Sequence, residues 1–259
     1  MKKTVTALSL AAILAASAQA DFTRVEAGVG SWQSDPSGPI TYNKLGVTQT
    51  VNVENNLGFD EENFTYAWLN IKHPVPLIPN LRLEKVDVDF SGTSLRTFDW
   101  VHNGTTYTYA ANTHSQLEID QTDIVLYYNI LDNTAWTTID FGIDVKLMDM
   151  TVNVTETGTG NTYTDSEDVP LPMLYLRGRV QIPGTDLAVE GDVKYVSYSD
   201  SKVYDGRIKV DYTLDFVPVV QPALEVGYRV QKIEIDEDDV DVRADVKFSG
   251  FYAGLMLRF

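Results

Sequence analysis

The stretch FYAGLMLRF, from Phe251 to Phe259, alternates in character from one residue to the next. Its odd-numbered residues are all apolar, whereas Tyr252, Gly254 and Arg258 lie between them. An extended strand with this sequence has one apolar face and one mostly polar face. In a soluble domain, such a terminal strand would leave an edge open to other chains, whereas a closed barrel has no free edge. The stretch therefore favours a closed barrel.

The same stretch resembles the C-terminal assembly signal of bacterial outer-membrane barrels. Tyr252, Gly254, Leu257 and Phe259 supply, in order, a polar residue, a glycine, an apolar residue and a final aromatic residue. The resemblance implies that the barrel-assembly machinery is a partner and that it recognises the last strand.

The first twenty residues are typical of a secretory signal peptide. Lys2 and Lys3 precede an apolar run, and Ala18-Gln19-Ala20 forms a small-residue cleavage site before Asp21. The apolar run is too short for a membrane-spanning helix. We therefore predict a cleaved signal peptide at residues 1–20 and one β-barrel domain at residues 21–259.

The composition excludes several classes of protein. The chain has 37 acidic and 20 basic residues, a formal net charge of −17, which argues against a nucleic-acid partner. It contains no cysteine, so disulfides are excluded. No stretch after the signal peptide approaches 18 uninterrupted apolar residues, so a membrane protein of this sequence would have to cross as strands.

Ten segments show the two-residue period of β-strands. The clearest is Thr138–Leu147, in which five apolar residues alternate with five others. In the third segment, Leu81–Phe90, the early residues have the opposite phase to the later ones, which predicts a β-bulge near Glu84. The other nine segments are predicted at Phe22–Trp32, Phe64–Lys72, Leu81–Phe90, a strand ending at Leu131, Leu174–Ile182, Leu187–Tyr195, Arg207–Leu214, Leu224–Gln231 and Phe251–Phe259.

Connection lengths favour a membrane barrel over a soluble sandwich. The first, third and fifth connections are long, whereas the even-numbered ones are short, as in barrels with short periplasmic turns and longer extracellular loops. Most segments also exceed the usual length of a sandwich strand.

Aromatic residues are expected in interfacial girdles, with Trp32, Tyr195 and Tyr204 near the outer ends and Tyr128, Trp136, Tyr212 and Phe259 near the inner ends. We predict an all-β fold: a closed antiparallel transmembrane β-barrel of about ten strands.

Charged residues occupy the inward positions of the fifth to ninth strands in nearly balanced numbers. Because buried charges are costly unless they pair, the balance predicts a lumen filled by salt bridges. A narrow ion-conducting path through the same charges is the alternative. The predicted lumen residues are Asp140, Asp144, Lys146, Arg177, Arg179, Glu190, Asp192, Lys194, Asp205, Arg207, Lys209, Asp211, Asp215, Glu225 and Arg229.

The excess negative charge lies in three predicted outer loops. The ranges Gln33–Glu62, Asp149–Val169 and Asp236–Asp241 hold fifteen acids and one base, Lys44. Carboxylates suit calcium, but the last range lacks the spacing and glycine of an EF-hand loop. A solvated acidic surface is the simpler interpretation, and we predict no metal site and no cofactor.

An enzyme at the outer rim is a further hypothesis. His102 and His114 fall in the second predicted outer loop, near Ser94, Ser115, Asp99 and Glu118 in sequence. No recognised hydrolase, zinc or phosphate-binding motif joins them.

Taken together, the sequence resembles a family of small proteobacterial outer-membrane β-barrel proteins whose molecular activity is generally unassigned. The resemblance is carried by the motifs HPVPLIPN (His73–Asn80), LYYNILDN (Leu126–Asn133), IDFGIDVKLMD (Ile139–Asp149) and SGFYAGLMLRF (Ser249–Phe259). It implies the outer membrane of a Gram-negative bacterium, with outer-membrane lipids and lipopolysaccharide as partners, and it transfers no catalytic or binding residue.

Three functional hypotheses follow from these observations. The leading one is a non-enzymatic, structural and surface-exposed barrel, with a narrow, porin-like channel as its alternative. The second is an outer-membrane hydrolase that uses the rim residues. The third is a soluble periplasmic ligand binder, which would need an apolar interior and a polar exterior.

Overall fold

The computed structural model describes residues 24–44, 47–75, 77–102, 105–199, 201–214, 220–235 and 242–259. The predicted signal peptide and the acidic range Asp236–Asp241 lie outside the described residues. Twelve strands follow one another along the described chain: β1 (Arg24–Ser37), β2 (Pro39–Lys44), β3 (Val47–Asn52), β4 (Glu62–Lys72), β5 (Asn80–His102), β6 (Thr105–Thr134), β7 (Thr137–Glu156), β8 (Thr162–Gln181), β9 (Leu187–Tyr198), β10 (Ser201–Thr213), β11 (Gln221–Ile235) and β12 (Val242–Arg258).

Ten of these strands form a closed antiparallel barrel. From β4 onward each strand pairs with the next in sequence, β1 pairs with β4, and β1 pairs with β12 to close the sheet. The two chain ends meet at this seam, where Val25 and Phe259 exchange two backbone hydrogen bonds. We call this end of the barrel the terminal end and the opposite one the distal end. Strands β2 and β3 form a hairpin that joins the distal end of β12.

The extra length predicted for the distal loops consists largely of strand. Strands β5 and β6 continue as a paired ladder up to His102 and Thr105, through the region predicted as a loop. Strands β7 and β8 likewise pair as far as Thr155 and Thr162. The connections at the terminal end stay short, as predicted. Among the described residues, no helix is long and apolar enough to span a membrane.

The outer surface of the terminal half is apolar. On β7, the outward residues Phe141, Ile143, Val145 and Leu147 are each between 38% and 56% exposed. The alternation covers the nine or so residues that a tilted strand needs to cross a bilayer. Neighbouring strands extend the band with exposed Leu126, Leu174, Leu176, Val193, Ile208, Val210, Leu224, Val226, Leu255 and Leu257. An apolar surface that surrounds a whole barrel fits lipid rather than water.

A row of four aspartates marks the distal limit of this apolar band. Asp87, Asp120, Asp149 and Asp168 lie side by side on β5 to β8, each paired in register with the next. Like charges directly opposite one another are destabilising, and they would be far more costly in hydrocarbon. The row therefore lies in water, and the barrel beyond it projects out of the lipid.

Beyond the aspartate row the two faces of the sheet exchange character. On β5, Arg82 and Glu84 point inward, but so do Val86, Val88 and Phe90, while Asp87 and Asp89 point outward. The ladder with β6 runs through Glu84 with no register shift, so the predicted bulge there is wrong. The alternation of polar and apolar residues reverses in the sequence because the medium outside the barrel changes from lipid to water.

The inward apolar residues of the distal half form what we call the distal plug. Its centre is Phe90, which is fully buried and packs against the rings of Phe59, Phe64 and Phe248 at centroid distances of 6.0, 4.8 and 5.5 Å. Its other buried members are Trp32, Val53, Leu57, Val86, Val88, Ile119, Met148, Met173, Val203, Ile233 and Val246. Trp32, predicted in an interfacial girdle, is instead 1% exposed within this plug.

The plug is sealed by the segment that follows the β2–β3 hairpin. The Asn52 side-chain oxygen accepts hydrogen bonds from the backbone N–H groups of Glu54 and Asn55, at 3.1 and 3.0 Å. This tight turn directs Leu57 and Phe59 into the barrel, where both are buried. The distal mouth is therefore closed by the chain itself.

Large rings lie flat against the barrel wall near the seam, over strand positions that have no side chain. The Tyr66 ring covers Gly30 and Gly254, so that a methyl group at Gly254 would lie 2.3 Å from the Tyr66 hydroxyl oxygen and 2.6 Å from the Val29 carbonyl oxygen. Gly254 thus has a packing role in addition to its place in the predicted assembly signal.

We expect Gly254→Ala to lower the free energy of unfolding by about 1–3 kcal/mol, because the added methyl group overpacks the wall against Tyr66. Urea unfolding of the refolded barrel in detergent micelles measures the change. Gly178→Ala is the matched control, since nothing lies within 4 Å of a methyl group there. Equal unfolding midpoints for the two variants would contradict the packing role.

Candidate functional site

The terminal half of the lumen is filled by ionised side chains, which we call the central charge layer. Among the described residues, ten carboxylates and nine cations belong to it, nearly all of them buried. The carboxylates are Glu26, Glu84, Asp123, Asp140, Asp144, Glu190, Asp192, Asp205, Asp211 and Glu225. The cations are Arg82, Lys146, Arg177, Arg179, Lys194, Arg207, Lys209, Arg229 and Arg258.

Two lysines form the centre of the layer. Lys146, which is 0% exposed, lies 2.7 Å from Asp123 and 3.1 Å from Asp205. Lys194 lies 2.6 Å from Glu84 and 2.9 Å from Asp123. These contacts join β5, β6, β7, β9 and β10 across the lumen. Each lysine is thus shared by two acids, and the shared Asp123 links the two lysines.

Arginines dominate the part of the layer nearer the terminal end. Arg177 bridges Asp140 and Glu190, each at 2.6 Å. Arg179 contacts Glu190 at 3.3 Å and also pairs with Asp211. Arg258 contacts the same Asp211 at 2.6 Å and Glu26 at 3.0 Å, and so ties β12 to β10 and β1.

Aromatic side chains fill the spaces between the ions. Glu225 accepts hydrogen bonds from the Tyr66 hydroxyl at 2.7 Å and from the Trp68 indole N–H at 3.2 Å, and its second oxygen lies 2.8 Å from Lys209. The Arg82 guanidinium lies over the Trp68 ring, 4.6 Å from its centroid. Ions and rings therefore pack as one dense layer.

Asp144 differs from the other acids of the layer. It is 0% exposed, and neither of its carboxylate oxygens has a hydrogen-bond partner among the described residues. In the described part of the chain, the layer also has one more carboxylate than it has cations. Asp144 is therefore the acid that this arrangement leaves uncompensated.

Most of the lumen residues predicted from the sequence lie within this layer. All of them except Asp215 are members, and Asp215 lies outside the described residues. The layer also contains Glu26, Glu84, Asp123, Arg82 and Arg258, which the prediction missed. These five lie on β1, β5, β6 and β12, strands whose inward face changes from polar to apolar along their length. If inward and outward positions had been assigned by two-residue alternation from the terminal end of each strand, these five residues would have been predicted to face inward.

Comparison with solved structures relates the fold to known barrels. The chain is similar to the outer membrane protease OmpT from Escherichia coli, with 10% identity, a TM-score of 0.57, and coverage of 94% of this chain and 100% of that one. The fold is that of an outer-membrane β-barrel. Other similar structures include the translocator domain of the autotransporter NalP from Neisseria meningitidis (12% identity, TM-score 0.40, 100% of this chain and 98% of that one) and Ail of Yersinia pestis (8% identity, TM-score 0.35, 92% and 99%). No protein-family model and no curated protein matches the chain.

The rim residues considered for an outer-membrane hydrolase do not converge where the structure describes them. His114 lies on the outward face of β6, with its Nδ1 atom 3.2 Å from the Thr93 hydroxyl. Ser115, its neighbour in sequence, is buried inside the barrel. Ser94 is a hydrogen-bond donor to the backbone oxygen of Asn56 in the plug segment. The side chains of His102 and Asp99 lie outside the described part.

The two acidic ranges that the structure describes, Gln33–Glu62 and Asp149–Val169, are distributed over strands and turns of the distal end. Within the described residues, no three acidic or histidine side chains are grouped so that they could hold a metal ion. Lys85 lies 2.6 Å from Asp87 and 3.6 Å from Asp120, so that part of the aspartate row is neutralised by the chain itself.

Proposed function

We propose that this protein is a non-enzymatic, structural barrel of the Gram-negative outer membrane, with a lumen that does not conduct ions. The terminal end faces the periplasm, and the distal half stands above the outer leaflet, in contact with lipopolysaccharide. The observation that carries the proposal is the filling of the lumen at two successive levels, by the central charge layer and by the distal plug.

The packing of both levels supports a closed lumen. Lys146, Tyr175, Phe90 and Gln231 each have 0% exposure, although they lie at different heights along the barrel. At the boundary between the two levels, the amides of Gln121 and Gln231 exchange hydrogen bonds of 3.1 and 2.8 Å across the lumen. An ion on this path would have to break paired charges and then cross an apolar core.

Planar-bilayer recording tests this proposal. We expect the refolded protein to be silent, and a variant in which residues 53–59 are replaced by a flexible linker to be silent as well, because the charge layer fills the lumen by itself. A mock preparation from cells without the protein controls for contaminating porins. Discrete conductance steps from the wild-type protein, absent from the mock preparation, would replace the structural role with a channel.

The route to the membrane is part of the same proposal. Residues 1–20 act as a signal peptide cleaved before Asp21, which the mass of the mature protein tests. The barrel-assembly machinery recognises the last strand, on which Leu257 is exposed on the outer face while Tyr252 is buried inside. The outward side chains of this strand are therefore the ones available to a partner during assembly.

A further inference from the structure

A cavity of about 320 Å³ opens at the terminal end of the lumen, below the central charge layer. Its volume is at the lower end of the range for small-molecule sites, roughly 300–1,000 Å³. Polar side chains form most of its wall, among them Thr138 and Gln221. It borders the ion-paired interior, which contributes Arg179 and Arg258 to its wall, and it is open to the compartment at this end.

Among the residues that the structure describes, three arginines and one acid, Asp186, line this cavity. Arg179 and Arg258 are held in place by Glu190, Asp211 and Glu26, none of which lines the cavity. Both guanidinium groups are thus fixed from the lumen side, and both line the cavity. Arg179 uses only its Nη atoms for its acidic partners, whereas Arg258 also donates from Nε to Glu26 and from Nη1 to Thr213.

Arg24 completes the cationic lining at the mouth of the cavity. It is exposed, and within the described part of the chain it forms no ion pair. A guanidinium group that is free at the mouth, next to two that are already oriented, suits a carboxylate or phosphate group, which can accept paired N–H donors.

Trp136 lies beside these arginines in an unusual backbone conformation. The two-residue turn between β6 and β7 consists of Ala135 and Trp136, with φ values of 50° and 63°. Turns of this type are normally made by Asn-Gly or Gly-Gly, because side chains with a Cβ atom are disfavoured at positive φ. Trp136 is 56% exposed, so little burial offsets the strain. Strained residues of this kind cluster at ligand-binding sites.

We propose that this cavity binds a small anionic ring compound, a carboxylated or phosphorylated sugar. The arginines hold the anionic group, and the indole of Trp136 stacks on the ring. Trp136, which the sequence predicts in an interfacial girdle, also forms part of the cavity wall. The cavity takes only Arg179 and Arg258 from the central charge layer and lies at the open end of the lumen, so the proposal does not depend on whether the barrel conducts ions.

Isothermal titration calorimetry of the refolded mature chain in detergent micelles tests the site with matched sugars. We expect N-acetylmuramic acid or N-acetylglucosamine 6-phosphate to bind, and neutral N-acetylglucosamine to bind at least tenfold more weakly. Tighter binding of N-acetylmuramic acid indicates a carboxylate ligand, and tighter binding of N-acetylglucosamine 6-phosphate indicates a phosphate ligand. Inorganic phosphate should bind more weakly than the sugar phosphate, since it has no ring for Trp136. No heat with any probe, or equal binding of the neutral sugar, overturns the proposal.

Two substitutions separate binding from folding. Arg24→Gln should weaken binding of the anionic sugar at least fivefold without changing the thermal midpoint, because Arg24 is exposed. Trp136→Gly should weaken binding about tenfold and yet raise the midpoint, because glycine adopts positive φ without strain. Lys232→Gln, at the distal end, is the matched loss of charge and should bind like the wild type. Wild-type affinity in both cavity variants would refute the site.

Discussion

Lys146→Met should lower the free energy of unfolding by about 3–5 kcal/mol, the usual cost of breaking a buried ion pair from one side. Methionine keeps most of the length of the side chain but removes the charge that lies between Asp123 and Asp205. Both carboxylates are almost fully buried and cannot recover water as a partner. Urea unfolding of the refolded barrel in lipid vesicles gives the measurement.

Asp144→Asn is the matched control for this prediction. It replaces a buried acid two residues away on the same strand, but one that has no ion pair or hydrogen bond among the described residues. We expect stability equal to or above that of the wild type, because a neutral amide costs less to bury. If Lys146→Met costs no more than Asp144→Asn, the ion pairs do not hold the layer together.

The double variant Lys146→Met with Asp123→Asn should recover most of the loss. Asp205 then keeps Arg229, at 2.5 Å, and Lys194 keeps Glu84, at 2.6 Å, so the remaining charges of this cluster are still paired. This recovery distinguishes an electrostatic effect from a general loss of packing, which the second substitution would not repair.

Phe90→Ala should destabilise the distal half by about 3–5 kcal/mol, because it leaves a cavity at the centre of the plug where three other rings meet. The effect should be local, since the central charge layer and the lipid-facing band do not depend on Phe90. We therefore expect the plug segment around residues 53–59 to become sensitive to protease in reconstituted vesicles, while the barrel remains folded.

Leu95→Ala serves as its control. Leu95 lies on the same strand, five residues further toward the distal end, but it is 68% exposed. Its truncation should change neither stability nor protease sensitivity. Equal sensitivity of the two variants would mean that the plug is not a cooperative apolar core.

The membrane-crossing half of the barrel could be predicted from the sequence because one face of each strand there is always in lipid and the other is always in the charged lumen. Thr138–Leu147 lies within β7 as predicted, with its apolar residues outward and Asp140, Asp144 and Lys146 inward. The distal half could not be predicted in the same way. On β5 the same alternate residues keep pointing inward while their character changes from charged to apolar. The sequence pattern alone cannot distinguish this change from a β-bulge.

Which side chains pair with one another inside the lumen could not be predicted from the sequence either. Lys194 and Glu84 are 110 residues apart, as are Gln121 and Gln231, and no local spacing relates them. The cavity at the terminal end was missed for the same reason, since Arg24, Trp136 and Arg258 come from the beginning, the middle and the end of the described chain.

The sequence by itself determined that this chain forms long alternating strands, that one face of them is lipid-compatible, and that charges of both signs occupy the other face. These properties follow from the two-residue period of a strand, which is local. Only the tertiary structure decided which charges pair, which acid is left over and where the interior becomes apolar. Closure of the barrel brings distant strands face to face across the lumen. The position of each outward side chain along the barrel, in lipid or in water, decides whether it must be apolar or polar.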